Sequence, residues 1–155
     1  MLNEFSYKGT VKLTICDHNN SDRVFYIFNK GESTLFKFIA ATLAGWFDEN
    51  DKPSCMDIGY DTGGQFNSIL SSYIATTSAF SMNSDGQWVT RITGALKQST
   101  IVDNTQQNLS VKLCSQKKEV LATIDLDSAS VTALNALLAG QEMIIEWTML
   151  VTNKE

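Results

Sequence analysis

Glu142-Met143-Ile144-Ile145-Glu146-Trp147-Thr148-Met149-Leu150-Val151-Thr152 alternates with a period of two. In a strand, successive side chains point to opposite faces. Met143, Ile145, Trp147, Met149 and Val151 therefore share one wholly apolar face. Ile144, Glu146, Thr148, Leu150 and Thr152 form a mixed face suited to partial solvent contact or a second layer. A helix would spread the same residues around its circumference and leave no polar side, so the strand reading prevails. Burial stabilises by roughly 1.5–3 kcal/mol per large apolar side chain, about 10 kcal/mol for this face before entropy is counted. Trp147, Ile145 and Met149 are thus expected in the core. The rest of the chain must supply a sheet for the strand to join and a layer to cover it.

Other segments fit that demand. Thr10 to Asp17 alternates, with Val11, Leu13 and Ile15 on one side. The turn formers Asp17-His18-Asn19-Asn20-Ser21-Asp22 follow, and Arg23 to Asn29 resumes as a strand, so the two runs read as a hairpin. From Ser33 the period changes. Leu35, Phe36, Phe38, Ile39, Leu43 and Trp46 follow helical spacing, Ser33 is an N-cap candidate, and Gly45 stands where a C-terminal glycine belongs. This predicts a helix over about 33–44 whose stripe, with Leu35, Ile39, Leu43 and Trp46, packs into the core.

Cys55 to Tyr60 and Ile69 to Met82 read as strands, with Gln87 to Ile101 returning after the turn Asn83-Ser84-Asp85-Gly86. Gly94, in mid-strand, suggests a bulge. Leu109 to Leu113 and Val120 to Leu126 read as two more strands. Asp127 or Ser128 caps a short helical turn near 128–138, closed by Gly140. The expected fold is mainly β: an antiparallel β-sandwich of about seven to eight strands with one packed helix.

The 155 residues suit one domain spanning 1–155, and 43% hydrophobic with 19% charged residues is the composition of a globular chain. A net charge of -5 argues against a nucleic-acid partner, because phosphate binding needs clustered Lys and Arg. Lys117-Lys118, the one local basic pair, reads as a solvated turn. No apolar run approaches the roughly 18 residues of a membrane span. The opening Met1-Leu2-Asn3-Glu4-Phe5 lacks the basic and apolar regions of a signal peptide. Cys16, Cys55 and Cys114 are odd in number and far apart, which suits free thiols in a reducing cytosol.

Catalytic chemistry finds little support. His18 is the single histidine and lies in an Asn-rich turn, and the cysteines lack metal-ligand spacing. No catalytic residue, metal site or cofactor is expected. The acidic run Asp48, Glu49 and Asp51 reads as a solvated loop. Trp88, beside the Asp85-Gly86 turn, is the tryptophan expected to be exposed. With Tyr60, Asp57 and Asp61 it forms the candidate binding set, of the kind a sugar-binding or host-adhesion module would use.

Three pieces of the chain together carry a resemblance. The first is Asn29-Lys30-Gly31, then Leu35, Leu43-Ala44-Gly45, Pro53 and Met56-Asp57-Ile58-Gly59. The second is Glu119-Val120-Leu121-Ala122, and the third is Ile144-Ile145-Glu146-Trp147-Thr148-Met149-Leu150-Val151-Thr152-Asn153. In their order, and together spanning most of the chain, these resemble the opening, a later and the closing strand of small structural proteins of tailed bacteriophage virions. The resemblance implies an accessory subunit of the head or tail, made in the bacterial host cytoplasm. It implies protein–protein contacts with other virion subunits or copies of itself, and no catalytic residues.

Overall fold

The computed structural model describes residues 5–16, 24–31, 33–46 and 48–153. The turn run from Asp17 to Asp22, with His18, lies outside them. Nine strands appear among the described residues: β1 (Phe5–Cys16), β2 (Val24–Gly31), β3 (Pro53–Thr62), β4 (Gln65–Ser68), β5 (Ile74–Met82), β6 (Trp88–Lys97), β7 (Ser110–Ser115), β8 (Val120–Asp125) and β9 (Glu142–Asn153). Two helices, α1 (Ser33–Leu43) and α2 (Ser128–Asn135), complete the fold.

Every strand pairing is antiparallel, in the order β4-β3-β5-β6-β9-β1-β2-β8-β7 with β3 also bonded to β7. The sheet therefore curls round and meets itself. Its two layers are β5-β6-β9-β1-β2 and β4-β3-β7-β8, the mainly β sandwich that the alternation predicts. Among the described residues, strand pairing joins them at two corners. At one, Lys30 and Gly31 of β2 pair with Thr123 and Ala122 of β8. At the other, Cys55 and Met56 of β3 pair with Ala75 and Ile74 of β5.

β9 is the middle strand of the larger layer. β1 pairs with it from Glu142 to Asn153 and β6 from Glu142 to Leu150. Met143, Ile145, Trp147 and Met149 are all buried, with Trp147 flanked by Val11 and Ile92. On the mixed face Glu146 stands opposite Lys12, a favourable cross-strand charge pair. The second layer supplies Met56, Ile58, Val111, Leu113, Ala122 and Ile124 to the same core. α2 contributes Val131, Ala133 and Leu134. It begins where the Asp127 carboxylate accepts the Ser130 backbone N–H at 2.7 Å, a side-chain N-cap.

Several local expectations need correction. Leu43 is 84% exposed and Trp46 is 83% exposed, although the helical spacing placed both in the core. α1 packs beside β8 and Ile39 reaches the core, but one turn later the helix has run past it. Gly45 then ends the helix in a left-handed conformation, φ 76°, with Gly45 N–H donating to Thr42 O and Trp46 N–H to Ala41 O. That reversal turns Trp46 off the stripe. Leu35 belongs to α1, but its side chain is outside the described set.

The strand expected from Ile69 starts only at Ile74. Leu70 instead makes an isolated bridge to Ile101, and the strand expected to reach Ile101 ends at Lys97. The helical turn near 128–138 stops at Asn135, leaving Leu138 exposed. β4 has no counterpart in the sequence reading. It forms because Gly63 and Gly64, at φ 58° and 82°, make a two-residue hairpin turn that L side chains rarely adopt. Gly94 is no bulge, since the β9 register runs through it without a shift and the β5 register reaches it, Thr76 opposite Gly94. A Cβ there would lie 2.7 Å from Ile74 Cγ2, so glycine makes room for a core side chain.

Trp147→Ala is expected to destabilise the domain by about 3–5 kcal/mol. That is a large part of the roughly 5–15 kcal/mol available to a domain. Urea denaturation measures it, and a midpoint unchanged from wild type would remove Trp147 from the core. Gly94→Ala should cost about 1–3 kcal/mol through overpacking. Adding Ile74→Ala should return part of that loss, a coupling that a double-mutant cycle reads.

Candidate functional site

Exposed apolar surface gathers on the β5–β6 hairpin. The pairing of Met82 with Trp88 and Phe80 with Thr90 puts Phe80, Met82 and Trp88 on one face. Ile92, four residues along from Trp88, lies on that same face and is fully covered. Phe80, Met82 and Trp88 have run beyond the second layer and are 75%, 55% and 59% exposed. The rings of Phe80 and Trp88 meet at 5.7 Å between centroids with a 50° tilt. Such tilted contact is favourable for aromatic quadrupoles and holds the two side chains as one platform. The turn that presents them is fixed by Asn83, whose Oδ1 accepts the backbone N–H groups of Asp85 and Gln87.

The same hairpin has an open edge. β5 pairs with β6 along Thr76–Met82, while β3 reaches it only at Ile74 and Ala75. Among the described residues no strand pairs with the other edge of Thr76–Met82. The segment Thr-Thr-Ser-Ala-Phe-Ser-Met carries neither charge nor proline, the devices that usually protect an edge. The exposed platform and the open edge adjoin each other.

The candidate set read from sequence does not assemble. Trp88 is exposed, as expected. Tyr60 is partly buried and packs against the core on the inner face of β3. Asp57 and Asp61, of opposite parity, lie on the outer face. Met82, the partner of Trp88, is eight residues along β5 from Ile74, the partner of Met56. At about 3.3 Å per residue that separation is roughly 26 Å. Tyr60 continues away from the hairpin, so Trp88 and Tyr60 share no cleft.

Asp57 is 8% exposed and is held by the Ile58 backbone N–H and the Ser68 hydroxyl. A buried carboxylate so bonded is a structural anchor between β3 and β4, not a free ligand. Next to it Phe66 lies over Gly59, where a Cβ would sit 2.7 Å from the ring, and Lys112 Nζ stands 3.9 Å from the ring centroid.

The acidic loop is bridged by a lysine. Lys117 Nζ lies 2.9 Å from both Asp48 and Asp51 carboxylates. The Asn50 backbone N–H and the Lys117 ammonium hold the Asp48 carboxyl below its usual value, and the two carboxylates raise Lys117. The pair is exposed, so it ties the loop to the β7–β8 turn more than it stabilises the fold. Lys118, read as part of a solvated turn, donates to the Cys55 sulfur at 3.3 Å and lies 4.3 Å from the Tyr73 ring centroid. A cleft of about 150 Å³ lies beside α2, lined by Gln98, Ile101, Val102, Asn104, Leu134, Asn135 and Leu137. It is below the roughly 300–1,000 Å³ of ordinary ligand sites.

Sequence reading found Trp88 but missed Phe80 and Met82, although both share its parity across the Asp85-Gly86 turn. No known protein family, curated protein or solved structure matches the chain.

Ser68→Ala should destabilise by about 1.5–3 kcal/mol, because it strips a hydrogen bond from a buried carboxylate. Trp88→Ala should shift stability by less than about 1 kcal/mol, given its exposure. Parallel thermal melts of the two variants test the contrast.

Proposed function

We propose that the chain is an accessory structural subunit of a tailed-phage virion, of the head or tail, that works through protein–protein contact. The observation that carries the reading is the β5–β6 hairpin, with its exposed Phe80, Met82 and Trp88 platform beside an open, uncharged strand edge. Such an edge accepts an extended segment of a neighbouring subunit by main-chain pairing, and the platform supplies apolar anchoring next to it. The family resemblance of the opening, later and closing strands gives the same direction. No helix among the described residues is long and apolar enough to cross a membrane.

A host-adhesion module binding carbohydrate is the second reading, favoured by the stacked and exposed Phe80 and Trp88. It lacks the polar half of a sugar site, since Asp57 is engaged and Tyr60 lies elsewhere.

Quantitative mass spectrometry of washed particles tests the first reading. The protein is expected in fixed ratio to the major capsid protein, either comparable to it or matching a single ring or fibre set. Phe80→Asp combined with Met82→Asp should lower incorporation at least tenfold, with a melting temperature within a few degrees of wild type. Absence from washed particles, together with glycan binding by the isolated chain, would overturn it in favour of the adhesion reading.

A further inference from the structure

Cys55 and Cys114 are 59 positions apart in sequence, and both are 3% exposed. In the β3–β7 register they stand directly opposite one another, so their side chains share a face. Directly opposite residues of antiparallel strands have Cα atoms about 4.5–5.5 Å apart. Disulfides span Cα separations of about 4.4–6.8 Å, so either kind of pair falls inside the window. Cys55 lies two residues from the start of β3 and Cys114 one from the end of β7, with register irregularities at Pro53/Cys55 and at Leu113/Cys114. Such irregularities interrupt the ladder and bend the strand locally, at the same place where the two cysteines oppose each other.

We propose that Cys55 and Cys114 form a reversible disulfide across the β3–β7 seam, made by peroxide or by a small-molecule disulfide and undone by thiols. This goes beyond the assembly reading and stands without it.

An exposed side chain lies against one member of the pair. Lys118 is itself exposed and donates to the Cys55 sulfur, and its ammonium also stands over the Tyr73 ring. Its backbone, at φ 66° and the one non-glycine with positive φ among the described residues, closes the turn through Lys118 N–H to Ser115 O and Ser115 N–H to Glu119 O. The lysine side chain can swing away without disturbing that turn.

Burial, then the neighbouring Cys55 and Asp57, push the Cys114 thiol up to about 11. Cys114 is therefore protonated near neutral pH, and the Lys118 ammonium beside the Cys55 sulfur makes Cys55 the one that reacts first. With peroxide, the Cys55 sulfur attacks one oxygen, the O–O bond breaks, and Cys55 becomes a sulfenic acid as the departing hydroxide takes the Cys55 thiol proton and leaves as water. The Cys114 sulfur then attacks the Cys55 sulfur. The S–S bond forms, the S–O bond breaks, and the hydroxyl departs as water with the Cys114 proton. Overall, two thiols and one peroxide give one disulfide and two waters.

The test is oxidation of the reduced, full-length chain with hydrogen peroxide, and separately with oxidised glutathione, followed by non-reducing peptide mapping. A Cys55–Cys114 cross-link is expected, in wild type and in Cys16→Ala alike. The oxidised chain should melt about 5–15 °C higher, an increase reversed by dithiothreitol. Cys114→Ala should show neither the link nor the increase. The mapping in wild type and Cys16→Ala decides the matter even where Cys114→Ala fails to fold. Recovery of both cysteines as free thiols, a link to Cys16, or sulfinic acid at Cys55 would overturn the proposal.

Discussion

One strand has both edges occupied along most of its length and one face buried from Met143 to Met149. β9 lies between β1 and β6, with Trp147 flanked by Val11 and Ile92 and fully covered by the opposite layer. A strand so placed must be long, alternate strictly and carry large side chains on one parity. The rest of the fold follows from covering that face. The second layer covers it and joins the first through two short corner pairings among the described residues, and α2 adds Val131 and Leu134 to the same core.

The same arrangement explains where the surface becomes available. The face of β6 that carries Ile92 is covered only as far as the second layer extends. Because β3 leaves β5 after Ala75, the hairpin continues outward with an apolar face and an edge that no strand among the described residues covers. Pro53 opens β3 and pairs with Ser115 of β7, and among the described residues β3 does not continue the ladder toward Thr76–Met82. Free hairpin, open edge and aromatic platform thus have one architectural cause.

Long periodic elements were legible in the sequence: β9 from its alternation, α1 from its stripe and Gly45, and the β5–β6 turn from Asp85-Gly86. What failed was information that local spacing does not hold. Helical arithmetic carried Leu43 and Trp46 into the core, but it cannot tell where the covering surface ends or that the chain reverses at Gly45. β4 is too short to show a period, and only Gly63-Gly64 betrayed it. Alternation ran Ile69 and Leu70 into β5 because parity continues across a break. The opposition of Cys55 and Cys114, and the reach of Lys118 to Cys55, depend on the β3–β7 register, which no local pattern encodes. Trp88 was found because a tight turn predicts exposure, whereas its partners Phe80 and Met82 looked like ordinary strand residues.

Hydrogen–deuterium exchange of the isolated chain and of assembled particles tests the account most directly. Amides of β9 should exchange slowly in both states. Amides of Thr76–Met82 that point to the open edge should exchange quickly in the isolated chain and become at least tenfold slower in the particle. Fast exchange at Thr76–Met82 in both states, or strong protection there in the isolated monomer, would contradict the claim that this edge is the free surface through which the protein assembles.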